Sequence, residues 1–124
     1  LVVSYNPGYQ NLLKGMKPST RQRFISLRFD FPRAEQEEAI LIGETACPPD
    51  LARRLVAIAG ALRSLKDRDL EESASTRLLV YAALLIKDGM DPVAACRVGI
   101  VESLTDDADI AEGLMEVVSA TFGR

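Results

Sequence analysis

Two patterns of hydrophobic residues divide the chain. Near the N-terminus, a short apolar run at residues 1–5 is followed, over residues 24–31, by alternation of apolar and polar positions. A period of two is typical of a strand with one buried face. After Pro32 the apolar residues recur every three or four positions, the period of an amphipathic helix. The pattern therefore predicts two strands and then a helical region that starts at residue 33.

The helical region contains signals for four to five helices. The clearest apolar face consists of Leu51, Leu55, Ile58, Leu62 and Leu65, which fall at i, i+4, i+7, i+11 and i+14. Arg53, Arg54 and Arg63 should form a solvated face of the same helix. A glutamate-rich helix at residues 33–43 precedes it. A third helix, ending at Lys87, is apolar over most of its surface and should therefore lie centrally.

Capping residues mark the expected helix starts. Asp50, Ser75 and Asp91 stand just before the second, third and fourth helices, and a proline follows Asp91. Either Thr105 or Asp106 stands before a fifth. Their side-chain oxygens can accept hydrogen bonds from first-turn N–H groups, and proline is tolerated at that position. The expected fold is mainly α, a helical bundle preceded by a two-strand remnant of an α/β core.

Composition and charge indicate a globular chain with two differing parts. Hydrophobic residues make up 48% and charged residues 27% of the 124 positions, which argues against disorder. The formal net charge is −3. Residues 1–33 hold six bases and one acid, a balance of +5, which leaves −8 for residues 34–124. The acidic helical region argues against nucleic acid as the main partner.

Residue types and spacing exclude several classes of site. The chain has no histidine, which removes imidazole acid–base chemistry and imidazole metal ligands. Cys47 and Cys96 lack the Cys-x-x-Cys spacing, so two buried, reduced thiols are expected. Asp106, Asp107 and Asp109 suit a helix N-terminus better than a metal, and no metal site is expected. With no apolar run of roughly 18–20 residues, we expect no membrane span and a cytoplasmic location.

Two segments near the N-terminus carry candidate functional side chains. Asn6 follows the first apolar run, where the carboxyl end of a strand can present it to a ligand. Alternatively, Asn-Pro-Gly is simply a favourable turn sequence. Arg21 and Arg23 end a short predicted helix, and their planar guanidinium groups suit a phosphate. The alternatives there are a solvated basic turn or a nucleic-acid contact.

A third candidate, Arg77, lies in the first turn of the most apolar helix. Backbone N–H groups at a helix N-terminus favour an anion, which would add to the attraction of the guanidinium. The alternative is an exposed arginine paired with Glu71 or Glu72.

Together these segments resemble one protein family. Residues 2–10 resemble the fourth core strand of an AAA+ ATPase with its sensor-1 asparagine, residues 18–24 the arginine-finger helix, and residues 70–81 the sensor-2 segment of the helical lid. Their order, and the wording Asn-Pro-Gly-Tyr-Gln and Ser-Thr-Arg-Leu-Leu-Val-Tyr, are similar to the CbbQ, NirQ and NorQ branch of the MoxR group. The resemblance implies a core remnant at residues 1–32 and a lid domain at residues 33–124.

The resemblance also implies roles for the candidate residues. Asn6 would be sensor 1, which orients the attacking water or contacts the γ-phosphate. Arg23, directly before Phe24, fits the arginine finger offered to a neighbouring subunit better than Arg21 does. Arg77 would be the sensor-2 arginine, which reaches the γ-phosphate of its own subunit.

The parent protein implied by the resemblance is a ring-forming ATPase, expected to be a hexamer, that uses ATP and Mg²⁺ to remodel a client. Expected partners are an adaptor with a von Willebrand A-type domain and a client such as ribulose bisphosphate carboxylase or nitric oxide reductase. The sequence contains neither a Gly-x4-Gly-Lys-Ser/Thr phosphate loop nor an Asp-Glu strand for Mg²⁺. We therefore expect a C-terminal part that does not hydrolyse ATP alone.

Two further expectations follow. Because the core strand that would lie between the two N-terminal strands is missing, residues 1–31 should be rearranged, swapped or poorly ordered. The competing functional hypothesis is a non-enzymatic helical interaction module in which Arg21, Arg23 and Arg28 form a docking patch.

Overall fold

The computed structural model describes residues 22–23, 30–65 and 73–123. They form five helices: α1 at Ala34–Thr45, α2 at Pro49–Ser64, α3 at Thr76–Lys87, α4 from Pro92 to Leu104, and α5 at Ala108–Phe122. The prediction of a mainly α chain with four to five helices is confirmed.

The chain divides into two compact units, Leu1–Asp30 and Phe31–Arg124. In the first unit only Gln22, Arg23 and Asp30 are described. The first predicted strand lies outside the described residues, as does the second except for its last two residues, Asp30 and Phe31, which belong to no strand. The expected rearrangement of residues 1–31 therefore stays a prediction.

Helix α3 lies centrally, as predicted, and packs against α1, α2 and α4. Helix α5 covers the other side of the bundle by packing against α2 and α4. The largest fully buried apolar side chains are Leu41, Leu55, Ile58, Leu62, Leu79, Ile100, Val101, Leu104 and Val118. The predicted apolar face of α2 thus supplies three of them, in Leu55, Ile58 and Leu62.

Two of the predicted helix caps are wrong. Helix α2 is preceded by Pro48 and begins at Pro49, since the fixed φ of proline suits this position, and Asp50 lies within the first turn. Helix α5 is capped by Asp107, whose carboxylate accepts from the N–H groups of Asp109 at 2.8 Å and Ile110 at 3.1 Å. Thr105 instead accepts from the N–H of Asp107 at 3.1 Å, which leaves Asp107 next to the helix.

The other two caps are in their predicted places. Asp91 accepts from the N–H groups of Val93 and Ala94, both at 3.1 Å, and Pro92 follows at the first helical position. Ser75 precedes α3 with an extended backbone, but its side chain makes no capping hydrogen bond.

Helix α4 contains a feature that periodicity did not predict. Its α-helical segment Pro92–Cys96 passes into a π-helical turn at Arg97–Val101, and an α-helical turn at Glu102–Leu104 completes it. The π turn inserts an extra residue into the helix and brings Gly99 against α3.

Both cysteines, Cys47 and Cys96, are buried free thiols, as expected. In the described ranges, none of the helices combines the length and the apolar character that a membrane crossing requires.

Candidate functional site

A buried ion pair joins α1 to α2 beneath the start of α3. The Arg63 guanidinium donates to Glu37 through Nη1, 2.9 Å from Oε1, and through Nη2, 2.7 Å from Oε2. The Glu37 side chain is 1% exposed and that of Arg63 is 14% exposed. The expectation that Arg63 belongs to a solvated face is therefore wrong, whereas Arg53 and Arg54 do lie at the surface.

The same pair holds the segment that leads into α3. Arg63 Nε donates to the Ala74 carbonyl at 2.8 Å, and the Thr76 hydroxyl donates to Glu37 Oε2 at 2.6 Å. Ala74 is 1% exposed, and Thr76 is the first residue of α3. Three helices thus meet through one carboxylate and one guanidinium.

The charge state of Glu37 follows from these contacts. Burial raises the pKa of the Glu37 carboxyl, but hydrogen bonds from Arg63 and Thr76 and the positive charge of Arg63 lower it. The net effect is a pKa below the ordinary value of a glutamate. Glu37 is therefore ionised at neutral pH in spite of its burial.

An aromatic ring covers the guanidinium of Arg63. The Phe31 ring centroid lies 3.9 Å from Arg63 Cζ, a cation–π distance. Phe31 is the residue at which the second unit of the chain begins. The ion pair is therefore bounded by α1, α2, the start of α3 and this ring.

Arg77 follows Thr76 and lies in the first turn of α3. Its side chain is exposed, and no ion pair joins it to another described residue. Its possible partners Glu71 and Glu72 lie outside the described residues. A cation here, at a helix N-terminus where the Ser75 side chain makes no capping hydrogen bond, forms a surface suited to an anion such as a phosphate.

The remaining candidates are in the first unit. Arg23 is exposed and lies in a turn. Asn6 and Arg21 lie outside the described residues. In the ranges that the structure covers, the side chains of His, Cys, Asp and Glu form no group of three or more able to hold a metal ion.

Comparison with known proteins identifies the family. The family model described as CbbQ/NirQ/NorQ C-terminal matches residues 37–121. The chain belongs to the CbbQ/NirQ/NorQ family.

Curated members of the CbbQ/NirQ/NorQ family match nearly the whole chain. The denitrification regulatory protein NirQ of Pseudomonas aeruginosa is 64% identical over 95% of this chain. Protein NorQ of Paracoccus denitrificans is 50% identical over 99%, and protein CbbQ of Hydrogenophilus thermoluteolus is 42% identical over 98%. The chain covers 45–46% of these three relatives, so it spans a little under half of their length.

The match to the CbbQ/NirQ/NorQ C-terminal region contains both residues of the ion pair and the start of α3, while Phe31 precedes it. Glu37, Arg63, Thr76 and Arg77 all lie within residues 37–121. Arg23 and the other N-terminal candidates precede that range and are covered by the pairwise similarities.

Sequence reasoning missed Glu37 and Arg63, although one signal was available. The buried residues of α1 are Glu37, Leu41 and Thr45, which lie at i, i+4 and i+8 on a single face. A glutamate in register with a buried leucine indicates a buried carboxylate that needs a cation. The identity of that cation could not be read from spacing, because Arg63 lies 26 positions away on another helix.

Proposed function

We propose that this chain is the C-terminal region of a MoxR-type AAA+ ATPase, which uses ATP hydrolysis to activate, mature or remodel a client enzyme. In this proposal Arg77 is the sensor-2 residue, Arg23 or Arg21 the arginine finger, and Asn6 the sensor-1 residue. ATP and Mg²⁺ would bind to a phosphate loop and an acidic strand supplied by the rest of the protein, so the 124 residues alone are expected to be inactive.

The observation that carries the proposal is the place of Arg77. It is an exposed arginine in the first turn of a central helix whose start is hydrogen-bonded to a buried ion pair. The planar guanidinium of an arginine in this position can donate several hydrogen bonds to a phosphate. Membership of the CbbQ/NirQ/NorQ family supports a nucleotide as the ligand.

The client that we propose is an enzyme of denitrification, such as nitric oxide reductase. The relative named as a denitrification regulatory protein is 64% identical to this chain, against 42% for the CbbQ protein. This difference favours a denitrification client over ribulose bisphosphate carboxylase. A hexameric ring in the cytoplasm, acting with a von Willebrand A-type adaptor, completes the proposal.

The first experiment measures ATP hydrolysis by the full-length protein with Arg77→Ala. Loss of a charged hydrogen bond to the γ-phosphate should lower the turnover number by about 10- to 100-fold. Arg53→Ala is the matched control. Arg53 is an exposed arginine of α2 whose Nη1 lies 3.6 Å from Asp50 Oδ1. Equal rates for Arg77→Ala and Arg53→Ala would contradict the sensor-2 role.

A second experiment tests the finger by mixing subunits. Rings built from Arg23→Ala and Arg77→Ala subunits contain some sites with both arginines intact only if Arg23 acts on the neighbouring subunit. In a random equal mixture about one quarter of the sites would be intact, and activity should return to that extent. Activity that stays at the level of the separate variants would show that Arg23 does not act in trans, and Arg21→Ala is then tested in the same way.

A further inference from the structure

The buried pair of Glu37 and Arg63 orients the segment that leads into α3, a role distinct from stabilising the fold. Replacing a buried ion pair by apolar side chains of similar size often leaves stability unchanged or raises it. The pair of Glu37 and Arg63 is also hydrogen-bonded to two points of one segment, the Ala74 carbonyl at 2.8 Å and the Thr76 hydroxyl at 2.6 Å. Those two points flank Ser75, the residue that precedes the helix.

Arg77 is the residue next to Thr76, so its backbone direction depends on this attachment. A long side chain converts a small rotation of the first helical turn into a larger displacement of its guanidinium. For a group that contacts a reacting phosphate, a misplacement of about 1 Å can lower the rate by on the order of 100-fold. The hydrogen bond from Thr76 to Glu37 can therefore influence the reaction rate through the position of the Arg77 guanidinium.

We propose that Glu37, Arg63 and Thr76 are positioning residues, which fix the first turn of α3 so that Arg77 reaches the γ-phosphate of ATP. This inference rests on the proposed ATPase function, because it needs Arg77 to bind nucleotide. It gives these three residues, each on a different helix, a role in positioning Arg77. None of the three touches the nucleotide in this proposal.

The substitution that tests the proposal is Thr76→Val in the full-length protein. Valine keeps the branched shape of threonine and replaces the hydroxyl, which donates to Glu37 Oε2, by a methyl group. Substituting Glu37 or Arg63 would leave a buried charge without its partner and could unfold the region, so Thr76 is the sharper position. Thr76→Ser, which keeps the hydroxyl, is the rescue variant.

Thr121→Val is the matched control. The Thr121 hydroxyl is part-buried and donates to the Val117 carbonyl at 3.0 Å within α5. Thr121→Val therefore loses a part-buried hydroxyl, as Thr76→Val does, but this hydroxyl has no hydrogen bond to α3. Any general cost of replacing a buried threonine hydroxyl appears in both valine variants.

The measurement is the affinity for a non-hydrolysable ATP analogue and for ADP, with Arg77→Ala as the reference. We expect Thr76→Val to weaken binding of the ATP analogue by about threefold to tenfold, the size of one hydrogen bond, with ADP affinity unchanged. Arg77→Ala should likewise weaken binding of the ATP analogue relative to ADP, and so lower the ratio of the two affinities. Thr76→Ser and Thr121→Val should leave it at the wild-type value.

Three results would overturn the inference, and they are distinguishable. If Arg77→Ala changes the ATP to ADP ratio and Thr76→Val does not, the positioning role is wrong while the ATPase function stands. If Thr76→Val weakens both nucleotides equally, the role of Thr76 is only structural. If Arg77→Ala itself leaves the ratio unchanged, the proposed function of this site is wrong.

Discussion

Gly99 of the π-helical turn lies against the backbone of Ala82 in α3. A β-carbon added at Gly99 would stand 3.1 Å from the Ala82 nitrogen and 3.2 Å from its Cα. Both residues are buried, and backbone atoms cannot move aside as a flexible side chain can. The contact sets how closely α4 approaches the central helix.

Gly99→Ala should therefore destabilise the protein. Alanine gains up to about 1 kcal/mol of helix propensity over glycine, but overpacking at a rigid contact costs about 1–3 kcal/mol. We expect a net loss of about 1 kcal/mol in the free energy of unfolding, measured by urea denaturation. Gly113→Ala in α5 is the control, because nothing lies within 4 Å of its added β-carbon. It should be stabilising, and a stabilising Gly99→Ala would show that α4 can move away from α3.

Glu37→Gln should destabilise the protein far more than the same substitution at the exposed Glu112. It leaves the Arg63 guanidinium, 14% exposed, without a charged partner. The expected loss is about 2–4 kcal/mol at neutral pH, measured by urea denaturation. Glu112→Gln is the control. The Glu112 side chain is 70% exposed, and its Oε1 lies 3.2 Å from Arg97 Nη2. That change should cost less than about 1 kcal/mol, and similar costs for both variants would contradict the buried pair.

The stabilisation by Glu37 should disappear in acid. Its pKa is lower in the folded state than in the unfolded chain, so the folded state favours the ionised form. The stabilisation is complete above the unfolded pKa and is lost as pH falls through the lowered, folded-state pKa. The difference in unfolding free energy between wild type and Glu37→Gln should thus shrink between about pH 5 and the acid limit of folding. A difference that does not vary with pH would contradict the ionic contribution.

Asp107→Ala should shorten or destabilise α5. The Asp107 carboxylate accepts from two first-turn N–H groups, and loss of such a cap costs about 1 kcal/mol. The neighbouring Asp106→Ala is the control and should change the unfolding free energy by less than about 0.5 kcal/mol. If Asp106→Ala were the more damaging of the two, the cap would be misassigned.

Cys96 should resist alkylation in the folded protein. Its side chain is fully buried, and desolvation raises the pKa of the thiol to about 12, so the reactive thiolate is scarce. Peptide mass spectrometry after iodoacetamide treatment should find Cys96 unmodified in native conditions and modified in urea. Rapid native labelling would indicate local opening around α4.

The sequence by itself determined the helical architecture. Periodic apolar residues specify a buried face regardless of what that face will contact, which is why Leu55, Ile58 and Leu62 were assigned to the core correctly. Asp91 and Pro92 likewise act within one turn of chain, so their capping role needs no tertiary information. The family resemblance was readable for the same reason, since its motifs are contiguous.

Tertiary structure alone decided which polar residues are buried. The sequence placed Arg63 on a solvated face and did not single out Glu37. Each can be buried only because the other neutralises it across two helices. The cap of α5 is Asp107, and the Thr105 hydroxyl accepts from the Asp107 N–H just before the helix. The π turn carries Gly99, whose close contact with the Ala82 backbone of α3 joins residues on two different helices. Each of these features arises from contacts between distant parts of the chain or from competition among neighbouring caps, and residue spacing alone encodes neither.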